Sequence, residues 1–120
     1  MKYIFEKYNH FDERDNRNKS TALIAIENEE QYGEYFITEI KNLNLHYLEE
    51  IVNSLKLVLS GNLQQYNFGY EVYSIDCNKN ISSIIDIFTD DKIILELPTQ
   101  EIYEFIRDWK DYLTENQLIP

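Results

Sequence analysis

A chain of 120 residues with 22 Asp and Glu against 11 Lys and Arg carries a formal net charge of -11, yet 43% of it is hydrophobic, with ten Tyr and six Phe. That apolar content excludes an acidic disordered tail. The scattered cations exclude the phosphate-neutralising surface that direct DNA or RNA binding draws on, and the short apolar runs exclude a membrane-spanning helix.

The length fits a single domain spanning 1–120, able to bury roughly two-thirds of its unfolded surface. Cys77 stands alone, so no internal disulfide forms, which suits a reducing compartment. No basic start followed by an apolar run marks a secretory signal, and a cytoplasmic location is expected.

Taken in chain order, Lys2 to Tyr8 mixes aromatic and β-branched residues and predicts a first strand. Asn9 to Ser20 turns polar and reads as a solvated loop. Thr21 to Ile26 predicts a short buried strand, and Tyr35 to Ile40 a third strand, with a helix as the alternative. Between them Glu27, Glu29, Glu30, Glu34 and Glu39 accumulate, and no Lys or Arg falls between Ser20 and Ile40.

Asn44 is a suitable N-cap for a helix whose apolar face repeats through Leu48, Ile51, Val52, Leu55, Val58 and Leu59, with Gly61 as its stop. Phe68, Tyr70 and Val72 are expected on one face of a strand, with Glu71 and Tyr73 on the other. Asn78 to Asn80 predicts a turn and Ile81 to Phe88 a strand apolar on much of both faces. Asp90 and Asp91 make the next turn, and Ile93, Leu95 and Leu97 the partner strand. Pro98 ends it, and Thr99 caps a last helix with Ile102, Phe105, Ile106, Trp109 and Leu113 buried and Glu101, Glu104, Asp108 and Asp111 in water. The expected fold is α+β: a mainly antiparallel sheet of five to six strands with two helices packed on one face.

No catalytic residue, cofactor site or metal site is expected. Asp86 and Glu96 fall on neighbouring strands, but Pro98 occupies the place where a metal-dependent nuclease pattern needs a Lys. His10 and His46 lack the spacing of a zinc pair, Cys77 lacks an activating neighbour, and Gly33, Gly61 and Gly69 are too dispersed for a phosphate loop. Trp109 and Phe105 belong to the helix's apolar stripe and read as core. Tyr32 and Tyr35, set among glutamates, read instead as a docking surface for a basic partner, equally well explained as rings covering a sheet edge. The candidate partner-binding residues are Glu27, Glu29, Glu30, Tyr32, Glu34 and Tyr35, with Asp86, Asp90 and Asp91 as a second group.

The helix end Leu59-Ser60-Gly61, the run Phe68-Gly69-Tyr70-Glu71-Val72-Tyr73, and Leu97-Pro98-Thr99 before a helix with Trp109 and Tyr112-Leu113 cover about half the chain. In this layout the chain resembles small bacterial immunity proteins that neutralise polymorphic or contact-dependent toxins. The resemblance implies binding to one cognate toxin domain, commonly a basic nuclease, by occluding its active site or an exosite. Two other readings compete with it: an acidic regulator or nucleic-acid mimic that binds many basic proteins, and a small enzyme of unrecognised class.

Overall fold

The computed structural model describes Met1–Asn116 and Leu118. Its strands and helices are β1 (Tyr3–Asp12), β2 (Arg17–Ile26), α1 (Phe36–Asn42), α2 (Leu45–Ser60), β3 (Gln65–Gly69), β4 (Tyr73–Asn78), β5 (Ile81–Asp86), β6 (Lys92–Pro98) and α3 (Thr99–Glu115), with a 3-10 turn at Glu29–Tyr32. The class is α+β and every pairing is antiparallel. In place of one sheet there are two: a β1-β2 hairpin and a β3-β4-β5-β6 meander.

α2 forms where its caps and periodicity place it, and α3 where its periodicity does. Asn44 Oδ1 accepts the Tyr47 N–H at 2.8 Å, and Gly61 ends α2 in the left-handed region at φ 84. Leu48, Ile51, Val52, Leu55 and Val58 line its buried face, while Leu59 is half-buried. Ile102, Phe105, Ile106, Trp109 and Leu113 do the same for α3, with Trp109 only 1% exposed. Thr99 is the first helical residue, not the cap. Its hydroxyl donates to the Asn78 carbonyl at 2.6 Å and lies 2.8 Å from the Ser82 hydroxyl, tying the start of α3 to the sheet. The helix stripes and alternate residues of the meander, among them Ile75, Cys77, Ile84 and Leu97, join one hydrophobic cluster. Burial pushes the Cys77 thiol up to about 11.

Further expectations along the chain are corrected, and the reading left open at Tyr35 to Ile40 resolves to its helical alternative. The loop expected from Asn9 to Ser20 is strand on both sides of a short turn, and β1 and β2 pair in register from Tyr3↔Ile26 to Asp12↔Arg17. Asp12 Oδ1 accepts the Arg14 N–H at 2.9 Å, Asn16 takes φ 52, and Lys19 reaches Asp12 at 2.8 Å and also pairs with Asp15. The base of this hairpin is held by rings: Tyr3 lies 5.0 Å from Phe105, and Phe5 lies 5.2 Å from Trp109 and 5.4 Å from Tyr112. The Tyr3 hydroxyl donates to Asp108 at 2.5 Å and the Met1 amino group pairs with Glu101, and Glu101, Glu104, Asp108 and Asp111, expected to be fully wet, are half-buried.

The third strand, Tyr35 to Ile40, is helix α1. Phe36 and Ile40, four apart, are buried on one side of it, with Glu39 beside them.

The single strand expected from Phe68 to Tyr73 is broken into β3 and β4. The turn between them is fixed from α1: the buried Glu39 carboxylate accepts the N–H groups of Glu71 (2.6 Å), Val72 (2.6 Å) and Tyr73 (3.1 Å). Backbone donors that a tight turn leaves unpaired thus find a charged acceptor.

On β5 the expectation of two apolar faces holds only in part. Ser82 and Ile84 are buried, Ile85 is half-buried and Ile81 is 39% exposed. A register shift opposite Ile84 and Ile85 places Ile93, not Ile94, across from Ile85, and leaves Ile93 50% exposed.

Candidate functional site

Three segments meet at one end of the meander, and most of the acidic candidates lie on them. The first is the stretch after β2. The 3-10 turn carrying Glu29 and Glu30 packs beside β6, and the chain then passes over Tyr73 at Gly33. Gly33 has φ 91, and a Cβ there would fall 2.6 Å from the Tyr73 hydroxyl oxygen, so both the conformation and the space require glycine. The Tyr35 N–H donates to that same hydroxyl at 3.4 Å. Glu34 and Tyr35 are therefore pinned at the start of α1, exposed, with Tyr35 50% accessible.

The second segment is the β3–β4 turn held by Glu39, which presents Tyr70 at 51% exposure and an exposed Glu71. The third is the β5–β6 turn, joined to the second by the Ile87 N–H donating to the Val72 carbonyl at 3.0 Å. Asp86 pairs in register with Tyr73 and shapes its own turn, accepting the Phe88 N–H at 3.0 Å and the Thr89 hydroxyl at 3.1 Å. Asp90 and Asp91 follow in left-handed conformation at φ 50 and 54, exposed as the sequence suggests for a turn. Between these acids Phe88 stands 76% exposed, with Ile87 at 44%.

The closeness of the segments registers in the electrostatics of Tyr73. The Tyr73 phenol is raised above its usual range, first by burial, with Asp86, Glu39 and Glu34 adding their negative charge. The charge of the molecule is also unevenly spread. Between Tyr3 and Ile26, Lys7, Arg14, Arg17 and Lys19 balance Glu6, Asp12, Glu13 and Asp15, so the hairpin is neutral and the net charge of -11 belongs to the rest of the chain.

Measured against the sequence expectations, Tyr32 is the clear correction. It is 6% exposed and stacks on Phe36 at 5.6 Å, so it is core and not docking surface. Glu27 lies at the foot of the hairpin, where it faces Lys2 at 3.9 Å. Phe88 and Tyr70 were missed. The available signal was an aromatic residue inside each turn, where neither strand nor helix periodicity can bury it.

Asp86 and Glu96 do not converge: Glu96 pairs with Ser83, and Asp86, three residues further along β5, points to the other face. His10 is half-buried in β1, its Nε2 3.0 Å from the Thr21 hydroxyl, and His46 is exposed. Among the described residues no three His, Cys, Asp or Glu side chains come together as metal ligands, and no helix is long and apolar enough to cross a membrane.

No family model matches the chain, and no curated protein or solved structure is significantly similar to it.

Proposed function

We propose that the chain is an immunity protein: it binds one basic toxin domain, a nuclease being the favoured class, and blocks its active site or a neighbouring exosite. The observation that carries this reading is Phe88, 76% exposed between Asp86, Asp90 and Asp91. An exposed aromatic anchor flanked by three acids, with Lys92 the one cation of its turn, suits an interface in which the rim steers encounter and the centre slows dissociation. Glu34, Tyr35 and Tyr70 extend that rim, and the acidic body supplies a long-range field that attracts a basic partner. On this reading α2 and α3 cover one face of the meander, leaving the turn end free to dock, and the protein acts in the cytoplasm of the cell that makes the toxin. A single rigid anchor favours one cognate partner over the broad binding of a nucleic-acid mimic.

This function requires a toxin domain encoded beside this chain, and that domain is the partner in the test. Replacing Glu27, Glu29, Glu30 and Glu34 together by Gln should slow association at least about tenfold at low salt, with the gap closing as salt is added. Phe88→Ala should leave association within about twofold and speed dissociation at least about tenfold. Stopped-flow rates unchanged in both variants would remove this end of the molecule from the interface.

A further inference from the structure

The β1-β2 hairpin is a sheet of two strands, so each strand has one edge without a neighbouring strand. The phase of its ladder follows from the bond at its foot. The Glu27 N–H donates to the Lys2 carbonyl at 2.9 Å, and the register then runs unbroken from Tyr3↔Ile26 to Asp12↔Arg17. Hydrogen-bonded pairs alternate along an antiparallel ladder. The even-numbered residues of β1 therefore bond to β2, and Tyr3, Phe5, Lys7, Asn9 and Phe11 turn their N–H and C=O groups outward. None of these groups has a partner among the described residues. On the other side of the hairpin α1 packs beside β2, so the freer edge is that of β1. A long open edge of this kind is a template for another strand.

Charge and register select a second copy of this chain as that strand. The hairpin is neutral while the rest of the chain carries the net charge of -11, so it is the part through which two copies approach at least electrostatic cost. If β1 lies antiparallel on β1, a two-fold axis passes through one residue of the strand. An axis at Glu6 sets Glu6 opposite itself, an axis at Lys7 sets Lys7 opposite itself, and an axis at Asn9 sets Glu6 opposite Asp12. Like charges directly opposite destabilise a pair. An axis at Tyr8 has no such clash: Tyr8 faces Tyr8, Phe5 faces Phe11, Lys7 faces Asn9 and Glu6 faces His10. In that arrangement the turn of one copy arrives at the foot of the other. A groove of about 540 Å³ lies there beside Tyr3 and Phe5, walled by Asp108, Asp111 and Glu115 of α3. Arg14, exposed in the turn and without an ion pair among the described residues, complements those acids.

We infer that a second copy of this chain docks on the open edge, β1 against β1 about a two-fold axis at Tyr8, and completes a four-stranded antiparallel sheet. The edge shares no residue with the proposed docking end, so the dimer stands or falls independently of the immunity reading.

Sedimentation equilibrium of the intact protein tests it, in about 0.15 M salt to screen repulsion between the acidic bodies. One strand edge is a small interface, so a weak dimer with a dissociation constant of about 10–500 µM is expected. A protein that stays monomeric at millimolar concentration overturns the proposal. Asn9→Pro removes an outward N–H and no bond to β2, and should weaken dimerisation at least about tenfold. Asn18→Pro, on the outward edge of β2, should leave it within about twofold. Cross-linking reads the register. The two Tyr8 residues form a non-hydrogen-bonded pair with Cα atoms about 4.5 Å apart, within the about 4.4–6.8 Å that a disulfide spans. Tyr8→Cys should therefore give a disulfide-linked dimer on mild oxidation, and Thr21→Cys, across from Tyr8 on β2, should not. A folded Asn9→Pro protein that dimerises like the parent overturns the proposal. So does cross-linking through Thr21→Cys as readily as through Tyr8→Cys, a comparison that decides even if Asn9→Pro fails to fold.

Discussion

The β1-β2 hairpin and the β3–β6 meander are both antiparallel, but the meander has a covered face and the hairpin has one only at its foot. Phe68, Tyr73, Ile75, Cys77, Ile84 and Leu97 of the meander are buried in the common cluster. In the hairpin Ala22 and Ile26 are buried, while Ile4, Tyr8 and Phe11 are 58%, 56% and 55% exposed. The radius of gyration of 15.2 Å exceeds the roughly 13.6 Å expected for a compact chain of this size, and the long axis reaches 48 Å. An isolated hairpin is marginal in water; this one is anchored by Tyr3 and Phe5 stacking on α3 and continues outward on backbone pairing and ion pairs. One sheet is specified by burial, the other by its anchor and its turn.

That contrast can be broken at its strongest point first. Trp109→Ala, in the shared core, should cost about 3–5 kcal/mol in urea unfolding, whereas Phe11→Ser near the hairpin tip should stay within about 0.5 kcal/mol. Comparable losses at the two sites would mean that the hairpin tip is as firmly packed as the body.

A middle effect belongs to the carboxylate that fixes the meander's first turn. Glu39→Ala removes the acceptor of the Glu71, Val72 and Tyr73 amides and should cost about 2–3 kcal/mol, with faster hydrogen exchange at those amides. Glu39→Gln retains one acceptor oxygen and should lose less. Equal losses for the two variants would indicate that the charge, not the acceptor, holds the turn.

The smallest effect is local and depends on pH. Asp12 is held below the usual carboxylate range, chiefly by the hydrogen bond from Lys19, then by the Arg14 amide. A carboxylate lowered in the folded state stabilises above its unfolded value and loses that contribution as pH falls through the folded one. Chemical shifts of the Arg14 amide should therefore titrate with a midpoint below the ordinary Asp value of about 3.9, and Asp12→Asn should abolish the transition. A midpoint at or above that value would release the tip from this ion pair.

The same contrast explains what the sequence makes legible. Both long helices are readable because their 3.6-residue periodicity is a local signal, and Asn44, Gly61 and the Trp109 stripe fall where the sequence places them, although Thr99 does not cap α3. The outer hairpin is not readable as strand, since alternation arises only when one face is buried, and Asn9 to Ser20 is wet on both. The break at Gly69–Val72 depends on Glu39, more than thirty residues away, so no local window contains its cause. At the candidate docking end, each acid is visible singly, but its neighbours depend on Gly33 passing over Tyr73. Tyr32 misled for a related reason: a 3-10 turn is too short to show a periodic face.

Cys77 gives this architecture a clock. It is the chain's single thiol, 1% exposed, in β4 at the heart of the covered sheet. With its proton held to about 11, it stays a thiol at neutral pH, and alkylating reagents react through the thiolate. Labelling then waits on excursions that expose the strand, so the rate of thiol modification counts how often the meander opens. The outer hairpin, wet on both faces, can fray many times between those events without being registered.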